Sequence, residues 1–170
     1  MRWFATILSL FFLSFCGTGC TAKRVQVGAR TALTAAAEGV DAADRVVAEA
    51  LPAAVERAGD QALAAGCNSP QACMDAAQDS LRPWTNAVTG LRHATDTLHV
   101  LDDGLSLWIA TGALPDWGPV CDEAEAVFGS LLALLATVGL QPPALLSTVA
   151  PHVDTACELV VSFARSQQGR

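Results

Sequence analysis

Between residues 84 and 108, apolar side chains return every seven positions on two interleaved tracks. Trp84, Leu91, Leu98 and Leu105 form one track; Ala87, Ala94, Leu101 and Trp108 form the other. Seven residues make about two turns of α-helix, so all eight side chains fall on one stripe. A strand, with its period of two, would scatter them over both faces. A helix over 84–112 is a rod about 43 Å long. A stripe sustained over that length needs partner helices, in an antiparallel bundle or a coiled coil.

The remaining periodicity supplies those partners. Over 31–65, Leu33, Val40 and Val47 recur with Ala36, Ala43 and Ala50 between them. This stripe is built of small residues, which lets neighbours approach closely. Pro52 is expected to kink or break that helix, because it lacks an N–H and its ring crowds the preceding turn. Gly66 reads as its stop. A short helix is expected over 70–81, opened by Ser69 and Pro70 and ended near Arg82 by Pro83. The stretch 112–119, Gly- and Pro-rich, is a loop. A helix over 120–139 begins with Asp122, Glu123 and Glu125, which suit the positive end of its dipole. Gln141-Pro142-Pro143 makes a turn, and a last helix over 144–166 carries Leu145, Leu146, Val149, Val153, Cys157, Val160 and Phe163, with Pro151 a kink point. The expected class is all-α, an antiparallel bundle of four to five helices over 31–166, with a polar tail at 167–170.

Composition narrows the function. The chain has 170 residues, enough for one domain with its own core, and 17 Asp plus Glu against 10 Lys plus Arg. Lys23 is the single lysine. A binder of phosphate backbones needs clustered cations, so nucleic acid is excluded as a partner. A hydrophobic content of 52% with 16% charged residues excludes disorder.

The first twenty residues read as an address. Arg2 is followed by the charge-free run Trp3 to Phe15, then Gly17-Thr18-Gly19 and Cys20. A basic start, a short apolar stretch and a small-residue exit describe a secretory leader, expected as a signal-peptide helix. The apolar run is shorter than the roughly 20 residues that span a bilayer. With Gly19 before Cys20, the segment resembles the leader of bacterial lipoproteins, in which the cysteine is lipidated and becomes the mature N-terminus. Gly17 departs from that pattern, which usually has an aliphatic residue there. The resemblance implies lipidation at Cys20, attachment to a membrane of the cell envelope and, with Thr21 next, the outer membrane at its periplasmic face. An ordinary cleaved leader, giving a secreted or periplasmic protein, and a retained anchor are the other two readings. Residues 21–30, with Lys23, Arg24 and Arg30, are expected to be a tether.

Four cysteines follow the leader. An even number in an exported chain points to two disulfides. Spacing favours Cys67–Cys73 across the Asn68-Ser69-Pro70 turn and Cys121–Cys157 across a hairpin centred near Gln141. Free buried thiols are the alternative; the CxxC spacing of zinc and redox sites is absent.

Chemistry is thinly signalled. His93, Asp96, His99, Asp102 and Asp103 share a helix, and three- and four-residue spacings let neighbours meet. His93, Asp96, His99 and Asp103 are therefore weak metal candidates, although a solvated polar face gives the same pattern. His152 is read as a surface or core histidine. No nucleophile elbow, phosphate-binding loop or dinucleotide fingerprint appears, and no catalyst or cofactor is assigned. Trp84, Trp117 and the alanine face of the first helix are the partner-binding candidates; Trp117 is alternatively a plug at the end of the core. Residues 126–150 carry no charge. They form either a hairpin buried in the bundle or one that inserts in a membrane. The expected role is that of a membrane-tethered helical module for binding or scaffolding, with an envelope protein as its partner.

Overall fold

The computed structural model describes residues 22–140 and 146–168. The leader with Cys20 and the Gln141-Pro142-Pro143 turn lie outside the described residues. Those described form four helices: α1 (Ala22–Ala64), α2 (Pro70–Thr111), α3 (Gly118–Thr137) and α4 (Leu146–Gln168). The class is all-α. The helices meet as a ring, α1 with α2 and α4, and α3 with α2 and α4.

Why α1 is helical follows from its composition. Fifteen of its 43 residues are alanine, the residue that loses least on entering a helix. It begins nine residues before the expected start. Residues 22–30 are not a tether but the first turns of α1, with Val25 and Ala29 at 4% and 0% exposure. They extend the seven-residue stripe backwards as Val25-Ala32 and Ala29-Ala36, a signal that the cations around them obscured. The small-residue face of α1 is buried against α2 and α4, so it is core rather than an open surface for a partner.

The expected helices over 70–81 and 84–112 are a single helix, α2, which runs through Pro83. Likewise α1 runs through Pro52 and α4 through Pro151. An interior proline costs about 3 kcal/mol in lost hydrogen bonding and crowding. Tertiary packing offsets that cost here. Val47 and Ala54 are buried on either side of Pro52, and Trp84 and Ala87 closely follow Pro83. The ends of α2 are well capped. Ser69 is extended (φ −154°, ψ 156°), and its hydroxyl accepts from the Ala72 N–H at 3.2 Å. At the other end Gly112 takes the left-handed conformation (φ 72°) that closes a helix, its N–H donating to the Trp108 carbonyl at 2.9 Å.

The core is one cluster along the stripes. In α2 it holds Leu91, Ala94, Leu98, Leu101, Leu105 and Trp108; in α3 Val127, Phe128, Leu131 and Leu135; in α4 Val149, Val153, Ala156 and Val160. At Gly90 α2 lies close against a side chain of α3: a Cβ there would lie 2.8 Å from Leu134 Cδ1. Phe163 of α4 tilts against Trp108 with ring centroids 5.3 Å apart.

The helices are unequal, and this decides the shape. α1 and α2 have 43 and 42 residues, α3 and α4 only 20 and 23. The short pair covers the part of the long hairpin that holds the termini of the bundle, as Gly28 against Leu159 and Gly90 against Leu134 show. Beyond it α1 and α2 continue as a bare two-helix arm. There the buried line of α1 shrinks to Ala54, Ala58 and Ala62. At the helical phases that meet α4 and α3 lower down, the arm carries exposed Arg57 and Asp79. Pro52 stands 12 residues from the end of α1, and Pro83 stands 13 from the start of α2, so both fall at the same level, where the arm leaves the body. The Cys67–Cys73 bridge closes the tip, with Cα atoms 5.3 Å apart.

Candidate functional site

The second bridge, Cys121–Cys157, joins α3 to α4 with Cα atoms 5.7 Å apart. Both pairings match those expected from spacing. Around this second bridge lies an open groove of about 560 Å³. Helical spacing builds its walls: Cys121, Asp122 and Glu125 from α3, and Asp154, Cys157, Glu158, Val161, Ser162 and Arg165 from α4. Four carboxylates and one guanidinium give it a negative field, which attracts cations without fixing one. The sequence reading missed this groove. Its signal was the i, i+3, i+4 repetition of acid and cysteine on two helices already expected to be bridged.

The histidine row of α2 does not converge. His93 and Asp96, His99 and Asp103 are exposed along the outer face. His93 Nε2 finds Glu123 Oε1 of α3 at 3.7 Å, with both side chains 61% exposed. A pair so wet is worth little. Among the described residues no three His, Cys, Asp or Glu side chains gather as a metal would require. His152 is half-buried on α4.

Trp84 and Trp117 are not available to a partner. Trp84 is 9% exposed and Trp117 5%, both within the core cluster. Trp117, just before α3, lies over Gly104 of α2, where a Cβ would sit 3.5 Å from its Cζ2. It plugs the open end of the core beside Pro115. Its indole N–H is buried with no hydrogen-bond acceptor among the described residues.

At the end where α1 begins and α4 finishes stand Lys23, Arg24 and Arg165, and Arg165 shares the groove with Asp122, Glu125, Asp154 and Glu158. Exposed apolar side chains are spread along the rod: Val27, Leu107 and Ile109 near that end, Val100 further up α2, and Val55, Leu63 and Met74 on the arm. Among the described residues no helix is long and apolar enough to cross a membrane. Phe128, Leu131, Leu135 and Val149 of the uncharged 126–150 stretch are buried in the bundle.

No protein-family model, no curated protein and no solved structure matches this chain.

Proposed function

We propose that this protein is a lipid-anchored module of the bacterial cell envelope that binds or scaffolds a partner protein. Lipidation at Cys20 confines the bundle to a membrane surface, with the outer membrane favoured by Thr21 next to it. One acyl chain holds a protein only marginally, so firm retention implies at least two. The work is that of a surface rather than a catalyst: the polar groups on α2 are dispersed and solvated. The observation that carries the reading is the pairing of an export-type leader ending in Cys20 with four further cysteines that meet as two bridges. Disulfides of this kind persist in oxidising compartments.

Mass spectrometry of the mature N-terminus tests it. The expected product begins at Cys20, carries acyl groups and is four hydrogens lighter than the fully reduced chain. Cys20→Ser should move the protein from the membrane to the soluble fraction after carbonate extraction. A chain that keeps Met1, lies in the cytosol and has all six thiols reduced would overturn the proposal. A Cys20→Ser variant that stays with the membrane would instead point to a retained leader if it keeps Met1, and to the 126–150 segment if the leader is gone.

A further inference from the structure

The two bridges of this molecule are alike in most of what governs disulfide reactivity and unlike in their surrounding charge. We infer that the Cys121–Cys157 bridge is a charge-guarded exchange site: its groove admits cationic thiols and turns away anionic ones, whereas Cys67–Cys73 discriminates little between them. This goes beyond the envelope role proposed above and does not depend on it.

The matched properties come first. All four cysteines are half-buried, so a reagent meets a similar degree of cover at either bridge. Each bridge draws one cysteine from the fourth residue of a helix, Cys73 in α2 and Cys121 in α3. The positive end of a helix dipole, which eases departure of a thiolate, therefore bears on both alike. What differs is the company they keep. Cys121 and Cys157 line an open groove with Asp122, Glu125, Asp154 and Glu158, and Arg165 is the one cation among its walls. Glu125 follows Cys121 by four residues and Asp154 precedes Cys157 by three, spacings that share a helix face with the sulfurs. At the tip, Asp75 is the one carboxylate within five residues of either cysteine along the chain.

Exchange begins when a thiolate RS⁻ attacks one Sγ in line with the S–S bond. An R–S–Sγ bond forms, the Sγ–Sγ bond breaks, and its electron pair departs on the other cysteine, which takes a proton from water. A second thiolate then attacks the R sulfur of the mixed disulfide. It releases the first cysteine as a thiol after protonation and leaves the oxidised reagent RSSR. Each attack carries negative charge into a groove where four carboxylates against one guanidinium already leave three net negative charges. A positive group on R offsets that repulsion and a negative one adds to it. Charges within about 10 Å act across the groove at low salt, and between reagents of opposite charge their effect on rate is about tenfold.

The test uses the oxidised full-length protein with both bridges closed. It is reduced at low ionic strength by 2-aminoethanethiol, which is cationic, or by 2-mercaptoethanesulfonate, which is anionic. Free thiols are trapped by alkylation, and peptide mass spectrometry follows each bridge separately. Rates are divided by thiolate concentration, and the tip bridge serves as the reference in the same molecules. The cationic-to-anionic rate ratio at Cys121–Cys157 should exceed that at Cys67–Cys73 by about tenfold. In 1 M salt, where the Debye length falls to about 3 Å, the excess should collapse. Glu125→Gln with Asp154→Asn, both at exposed positions, should shrink it, and Arg165→Gln should widen it. Equal ratios at the two bridges at low salt would overturn the inference. An excess that neither salt nor these variants move would overturn it too, because shape rather than charge would then do the sorting.

Discussion

Trp117 holds two opposed contributions in one side chain. Its ring closes the end of the core over Gly104, and its buried N–H has no acceptor among the described residues. An unsatisfied buried donor costs about 1–3 kcal/mol. Trp117→Phe removes that donor while keeping most of the ring, so its stability should fall within about 1 kcal/mol of the parent. Trp117→Ala removes the plug and should cost about 3–5 kcal/mol. Urea denaturation of the two variants checks the pair; equal losses would show that the N–H carries no penalty. The residue itself was legible as a plug, because a tryptophan in a turn between helices has few places to go. Its depth was not, because burial depends on how far α3 is set back along α2. Trp84, expected at a surface, is buried for a related reason: it stands in the middle of a helix rather than at the start of one.

At the level of the elements, the helix periods were readable and the boundaries were not. The stripe of α2 over 84–108 is plain in the spacing. What the spacing does not convey is whether packing is strong enough to carry a helix through Pro83, since proline acts locally and burial does not. The arm should therefore report the intrinsic preferences of its residues. Gly59 lies inside α1, and a Cβ added to it would have nothing within 4 Å, so Gly59→Ala should stabilise by about 0.5–1 kcal/mol. Ser69→Ala removes the cap of α2 and should cost about 1 kcal/mol. The two bridges should differ. Cys67–Cys73 closes a separation of 6 residues and Cys121–Cys157 one of 36. Chain entropy then assigns about 2 kcal/mol to the first and about 4 kcal/mol to the second. Paired Cys→Ser variants compared by thermal unfolding under non-reducing conditions give the order; a larger loss at the tip would contradict it.

For the whole molecule, the four-helix body and the two-helix arm should differ in cohesion. The body buries leucine, phenylalanine and tryptophan from four helices, whereas the arm buries a single line of alanines on α1. Opening of the arm therefore exposes little apolar surface. Native-state hydrogen exchange should be faster in 54–64 and 72–82 than in 29–47 and 91–108. Uniform protection along α1 would refute that division. The groove at Cys121–Cys157 belongs to this scale as well: its walls come from helices 36 residues apart at the bridge, and no local window of sequence contains them.

Neither α1 nor α2 is interrupted between one end of the molecule and the other. Each nevertheless lacks a backbone hydrogen bond at the same level, Pro52 in one and Pro83 in the other, so a load applied at the disulfide-closed tip should bend the rod there before it disturbs the four-helix body.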